Sequence, residues 1–263
     1  MPAILEVHNL EVVYNRVARA VQGVSLAVQP KSIVGIVGIN GAGKTTTLSA
    51  LAGFISTDRV QMAGGRILVE GIDCTGEKPD AMSRRGLALV PEREKIFAKM
   101  RTHENLVASL TPKAGGITIN DIYVLFPALV ARRETIAGYL SGGERQMLAT
   151  GMALLSHPKL LMIDEFSLGL APILVQTVAN AIREIRESMG LSILFVEQNA
   201  TNAMDLADYL YVMEGGRFVF EGRPAEIRRN EDFRELYLGI GAGTEKRNYR
   251  DVRQYTKKRR WFG

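Results

Sequence analysis

At 263 residues, 46% hydrophobic and 23% charged, the chain can bury a substantial core, enough for one large domain or a domain with a subdomain. No stretch approaches the roughly 18 uninterrupted apolar residues of a membrane-spanning helix, so a membrane role needs spans supplied by other chains. The net charge of +5 is concentrated in residues 244–263, where eight Lys or Arg face two acids, a local +6; the rest of the chain carries −1, which argues against a broad nucleic-acid-binding face.

The N-terminal Met1-Pro2-Ala3-Ile4-Leu5-Glu6-Val7 has no basic region followed by an apolar stretch, so no secretory signal is expected and a cytosolic location is. Strands are predicted over 4–7, 10–14, 24–28 and the apolar 33–37, separated by turns and followed by a glycine-rich turn. Residues 45–52 suit a helix and 66–69 a strand, followed by the turn-rich 71–79. The lone Cys74 has no cysteine partner for a disulfide or metal site and is read as structural. From about 92 to 153 the pattern becomes mainly helical, clearest over 122–129 and 144–155, with a glycine-rich loop at 113–116; this is read as an inserted helical subdomain. Strand 160–163, helix 174–189, strand 192–196, helix 200–207 and a hairpin at Glu214-Gly215-Gly216 return to β-α-β order, implying a mostly parallel sheet with right-handed crossovers.

Three segments carry chemistry. Gly38-Ile39-Asn40-Gly41-Ala42-Gly43-Lys44-Thr45 fits G-x-x-x-x-G-K-[ST] between an apolar strand and a helix, the context that separates a phosphate loop from a chance match. Its glycines let backbone N–H groups converge on phosphate oxygens, Lys44 reaches the β- and γ-phosphates, and the Thr45 hydroxyl ligates Mg²⁺. ATP and Mg²⁺ are therefore expected here, with Thr46 completing the cradle. The strand at 160–163 ends in Asp164-Glu165, at the carboxyl edge where open α/β sheets bind ligands. Asp164 suits Mg²⁺ held through water, and Glu165 suits orientation of the water that attacks the γ-phosphate, although a solvated strand end is the plainer alternative. Ser141-Gly142-Gly143 opens a helix whose amides and dipole favour an anion, but alone it is only an N-cap.

In this order and spacing, the three segments resemble the ABC ATPase family over residues 4 to about 238. The resemblance implies an α/β fold: a P-loop ABC ATPase core with an antiparallel β-subdomain and the inserted helical subdomain, within a nucleotide-binding domain at 1–238 followed by a basic tail at 239–263. It also implies that two such domains face head to tail, with Ser141, Gly142 and Gly143 contacting nucleotide bound by the partner. Tyr14 lies where the family keeps an aromatic that stacks on adenine; a core-facing strand residue is the alternative.

The segments Val90-Pro91-Glu92, Asp164-Glu165-Phe166-Ser167-Leu168-Gly169-Leu170-Ala171-Pro172 and Val196-Glu197-Gln198-Asn199 are similar to those of the second ATPase subunit of branched-chain amino acid importers. This implies an ATP-hydrolysing subunit at the cytoplasmic face of the inner (cell) membrane, peripheral to it. It would work as a heterodimer with a related ATPase, a homodimer being the alternative, alongside two integral-membrane permease subunits and an external substrate-binding protein, without nucleic acid. The cargo would be a branched-chain amino acid or a related small amide or carboxylate. Glu92 stands where many relatives carry a glutamine linking Mg²⁺ and attacking water to the helical subdomain, a role an acid can fill. Gln198 replaces a histidine that touches the γ-phosphate; it can donate a hydrogen bond but carries no charge or proton, which motivates a weakly hydrolysing regulatory subunit as an alternative. Leu170 replaces an aspartate that communicates across the dimer, and Phe166 stands in place of a proline. A soluble ABC ATPase acting on ribosomes or nucleic acid is the other competing class; such members carry paired domains or long coiled coils. Residues 92–105 would face the permease subunits by resemblance, and alone read as an amphipathic loop. The tail, with Trp261 and Phe262 beside its basic residues, fits anionic lipid, a docking partner or a solvated end.

Overall fold

The computed structural model describes residues 2–55, 59–93, 96–111, 113 and 116–237; the basic tail and its three readings lie outside the described residues. The first half of the chain contains β1 (Leu5–Tyr14), β2 (Ala18–Val28), β3 (Ile33–Val37), α1 (Lys44–Leu51), β4 (Val60–Val69), β5 (Ile72–Asp73), α2 (Pro79–Arg84), β6 (Leu87–Val90), α3 (Thr102–Ser109) and α4 (Ile119–Leu125). It continues with α5 (Gly142–Leu154), β7 (Leu160–Asp164), α6 (Pro172–Met189), β8 (Ser192–Glu197), α7 (Ala200–Leu206), β9 (Tyr209–Glu214), β10 (Arg217–Gly222), α8 (Pro224–Ile227) and α9 (Glu231–Tyr237).

Two sheets result. One has the order β2-β1-β4-β5 and is antiparallel; the other has the order β10-β9-β3-β8-β7-β6 and is parallel apart from the β9–β10 hairpin. The central strands β3, β7 and β8 are buried along their whole length, so they read as continuous apolar runs, as expected of strands covered on both faces. Alternate residues serve different cores. Ile33, Val37, Leu161, Ile163, Ile193 and Phe195 face α5, α6 and α7; Val34, Ile36, Leu160, Met162, Leu194 and Val196 face α1 and the antiparallel sheet. Gly35 leaves room in this layer, because a Cβ there would lie 2.6 Å from the Phe195 ring and 2.7 Å from Leu210.

The two sheets are tied along the outer edge of β2. The Tyr211 hydroxyl on β9 accepts from the Ala27 amide at 3.1 Å, and Gln22 donates its amide to the Gly216 carbonyl at 2.8 Å and its side chain to the Gly215 carbonyl at 2.9 Å. Tyr211 also packs its ring on Phe218 at a centroid distance of 4.8 Å.

Several local expectations are corrected. Residues 5–7 and 10–14 belong to one strand, because the irregular pairing around His8 and Asn9, with Asn9 at φ 48, is a bulge within β1. β2 and β4 run longer than the apolar cores that announced them, because pairing with β1 continues along residues that are only half-buried or exposed. β6 was not anticipated: Leu87-Ala88-Leu89-Val90 is a four-residue edge strand without flanking periodicity. Between 92 and 153 the chain is less helical than its pattern, with residues 126–141 in turns and short 3₁₀ segments at Pro127–Leu129 and Ala137–Tyr139. Backbone bonds hold that segment to the start of α3: Thr102 to Thr135, His103 to Arg133 and Ala137 to Met100. Pro127 stops α4 two residues after its last helical position.

Burial pushes the Tyr211 phenol from 10.0 up to about 12, so the fold holds its neutral form. Tyr211→Phe is expected to cost about 1–2 kcal/mol by orphaning the Ala27 amide, measured by urea denaturation. The phenol's contribution should be complete below the unfolded pKa and disappear as pH climbs through the folded one.

Candidate functional site

The parallel sheet delivers its chemistry at the carboxyl ends of β3, β7 and β8. β3 runs into the loop 38–43, and α1 begins at Lys44. Gly43 makes this turn possible: its φ is +108, and a Cβ would fall 2.5 Å from the Ala20 carbonyl. Lys44 is 4% exposed. Its ammonium donates to the carbonyls of Gly38 at 2.9 Å and Ile39 at 3.2 Å, and Glu165 Oε1 stands 3.3 Å away. Burying an ammonium is costly unless it is paired and hydrogen-bonded, and both conditions are met.

β7 supplies the two acids. Asp164, 3% exposed, accepts from the Thr45 hydroxyl at 3.1 Å. Burial, reinforced by the charges of Glu165 and Glu92 against the opposing Thr45 hydrogen bond, pushes its carboxyl up to about 6. Glu165 has a left-handed backbone, φ 50, and its amide donates to the Val196 carbonyl at 3.0 Å, so the end of β8 sets where it sits. A non-glycine residue held there is a strained element of the kind that collects at working sites.

Lys44, Thr45 and Glu165 share a cleft of about 460 Å³ with Ala20, Asn40, Gly41, Ala42, Gly43, Thr46, Glu92, Arg93 and Leu168, and Asp164 joins them through its bond to the Thr45 hydroxyl. Glu92 lies on this cleft beside the loop 38–43, and its Oε1 accepts from Arg93 at 3.0 Å. The half-buried Tyr14, at the end of β1, lies within 3.2 Å of the Thr46 hydroxyl through its own; it is not packed in the core. Gln198 lies in an adjoining cleft of about 470 Å³ that shares Glu165 and Leu168 with the first.

Ser141-Gly142-Gly143 is not brought to either cleft. Ser141 caps α5: its hydroxyl accepts from the Glu144 amide at 3.3 Å and its amide donates to the Glu144 carboxylate at 2.7 Å, while Arg132 holds the other oxygen of Glu144 at 2.9 Å. The two glycines lie against the segment after Asp164-Glu165; Cβ atoms there would stand 3.3 Å from Leu170 and 2.9 Å from Leu174. Leu170 thus packs against the start of α5. Phe166, without a physical account from sequence beyond local packing, is 1% exposed and meets Phe195 edge-on at 5.7 Å.

Two residues of the second cleft were missed. Glu197 is buried at the end of β8 and accepts from both the amide and the hydroxyl of Ser167, each at 2.9 Å. The available signal was an acid closing an apolar strand, the same signal that marked Asp164.

The description "ABC transporter" belongs to the family profile that matches residues 21–167. The chain belongs to the ABC transporter family. It is 41% identical over 224 residues, 84% of this chain and 94% of the relative, to the high-affinity branched-chain amino acid transport ATP-binding protein BraG of Pseudomonas aeruginosa. It is 33% identical over 81% of this chain and 89% of the relative to a probable branched-chain amino acid transport ATP-binding protein of Archaeoglobus fulgidus. The lipopolysaccharide export ATP-binding protein LptB of Escherichia coli is 31% identical over 90% of this chain and 98% of its own length. Among solved structures, the ADP conformation of an ATP-binding cassette of an ABC transporter superposes with a TM-score of 0.77 at 25% identity, covering 91% of this chain and 100% of that one. This ABC subunit is an ATPase coupled to transport, and such subunits work with membrane permease components. Among its described residues, no helix is long and apolar enough to cross a membrane.

Gly43→Ala should disable the phosphate loop. The strain of a side chain at this φ and the backbone clash with Ala20, about 1–3 kcal/mol, correspond to an affinity loss of about 5- to 150-fold, read by titration with a fluorescent ATP analogue.

Proposed function

We propose that this chain is the ATP-hydrolysing subunit of an importer for branched-chain amino acids or a related small amide or carboxylate, working at the cytoplasmic face of the cell membrane. The observation that carries the hydrolytic part is the convergence of Lys44, Thr45 and Glu165 on one cleft, with Asp164 bonded to the Thr45 hydroxyl at its edge. Import and cargo are supported by the names of the relatives in Pseudomonas aeruginosa and Archaeoglobus fulgidus.

In this reading Gly38, Asn40, Gly41, Ala42, Gly43 and Thr46 cradle the phosphates, and Lys44 exchanges its carbonyl and carboxylate partners for β- and γ-phosphate oxygens. That exchange frees Glu165 to orient and polarise the attacking water. The donor set fits Mg²⁺: Thr45 Oγ1 and Asp164 Oδ1 are hard oxygens 3.1 Å apart, and this ion favours one or two carboxylates together with water and phosphate. Thr45, Asp164 and Glu92 would hold it, Asp164 through water; when bound, it would neutralise charge on the phosphate oxygens. Gln198 donates a hydrogen bond toward the γ-phosphate, and Tyr14 stacks on adenine. Ser141, Gly142 and Gly143, turned away from their own chain's cleft, contact nucleotide held by a second ABC ATPase. Residues 1–238 form the nucleotide-binding domain, and its helical subdomain, about 92–153, passes the closing motion to two permease subunits served by an external substrate-binding protein.

The similarity to LptB supports an export engine as the second reading. Affinity purification of the chain from its native membrane, with identification of co-purifying proteins, separates the two. Two multi-spanning proteins, a second ATPase and an amino-acid-binding protein are expected. Recovery of a lipid-export assembly, of ribosomes or of DNA would overturn the importer reading. In the recovered complex, Glu165→Gln should keep ATP affinity while turnover falls by about 10²–10⁴; unchanged turnover would remove Glu165 from the catalytic role.

A further inference from the structure

Glu197 closes β8 with 1% of its surface exposed, and the hydrolytic reading gives it no task. Both oxygens of its carboxylate are engaged. Oε1 accepts from the Ser167 amide at 2.9 Å; Oε2 accepts from the Ser167 hydroxyl at 2.9 Å and from the Gln198 amide at 3.2 Å. Every one of these donors belongs to a loop that carries a group facing the cleft. Ser167 lies two residues beyond Glu165, and Gln198 is the next residue of the chain. Glu165, Ser167 and Gln198 line the same cleft.

A core strand end gains nothing from a carboxylate that only fills space, since burial disfavours its charged form; burial indeed raises its pKa, against the lowering effect of the Ser167 amide and hydroxyl. What the carboxylate uniquely offers is acceptor capacity on both oxygens. A glutamine there has one acceptor end and one NH₂ end, so whichever way it turns, the NH₂ meets a backbone N–H.

We propose that Glu197 is a positioning residue for ATP hydrolysis: its carboxylate bolts the loop after β7 to the loop after β8, fixing the spacing of Glu165 and Gln198 across the cleft. The inference rests on the hydrolytic reading of Glu165. The Glu197 carbonyl accepts from the Gly38 amide at 3.2 Å, a backbone bond that a side-chain substitution keeps. Because the carboxylate itself bonds Ser167 and Gln198 and none of Lys44, Thr45 or the loop 38–43, it acts on the geometry of the reacting groups and leaves nucleotide affinity alone. Small misplacements of reacting groups cost on the order of 100-fold in rate.

The test compares the full chain, in its purified complex, with Glu197→Gln, Ser167→Ala and the double variant, measuring kcat for ATP, Kd for a fluorescent ATP analogue and Tm. In Glu197→Gln, kcat should fall by about 10- to 100-fold with Kd unchanged. In Ser167→Ala it should fall less, because only the hydroxyl bond is lost. The double variant should be no worse than Glu197→Gln, as expected for residues acting through one connection. If Glu197→Gln does not fold, Ser167→Ala decides alone. An active wild type whose variants keep its kcat overturns the inference and leaves the ATPase reading standing. A joint fall of kcat, Kd affinity and Tm in both variants also overturns it, assigning the carboxylate to fold stability. A wild-type complex without turnover removes the ATPase reading, and the positioning role with it.

Discussion

The arrangement of this protein hangs on one buried ammonium. Lys44 has almost no access to water, and an ion in that position is tolerable only where fixed dipoles and an opposite charge replace its hydration. The carbonyls of Gly38 and Ile39 and the carboxylate of Glu165 do so. Each of these partners is delivered by a different consequence of the fold: the loop by the turn that only Gly43 permits, and the carboxylate by the end of β7, two strands away in the same parallel sheet. The ammonium is therefore poised between protein partners and any anion able to replace them. An entering phosphate supplies stronger oxygens than the two carbonyls, so binding need not pay for desolvating the cation again.

The sheet that achieves this is buried on both faces, and its two cores are built from alternating residues of the same strands. A change on one face of β7 or β8 is felt at the strand end that carries the chemistry, because close-packed side chains give little. Phe166 illustrates the point. It begins the segment after Glu165, and its ring is locked against Phe195, so this departure from the family's proline is anchored by packing in the core beneath.

Legibility followed locality. The phosphate loop was readable because its chemistry lies within eight consecutive residues whose strand and helix context is equally local, and Asp164-Glu165 because an acid pair ends an apolar run. The Tyr14 hydroxyl beside Thr46 and the approach of Glu92 to the cleft depend on pairings across the chain; only the family resemblance suggested them. The bulge at Asn9, the short β6 and the turns of 126–141 escaped, because none has a period of its own and each is held by bonds to distant segments. Glu197 escaped for another reason: a glutamate ending an apolar strand looks solvated until its partner Ser167, thirty residues earlier, is seen to cover it.

The seam along β2 has a consequence for the life of the subunit before it meets any other chain. Unpaired strand edges are templates for unwanted pairing between molecules, and β2 is an eleven-residue edge. The Tyr211 hydroxyl and the β9–β10 turn occupy amides on that edge, while β6, at the far end of the other sheet, is only four residues long. In a newly made copy waiting for its assembly, the Ala27 and Gln22 amides are thus already taken, so the same contacts that join the two sheets leave less of the β2 edge open to pairing with another copy.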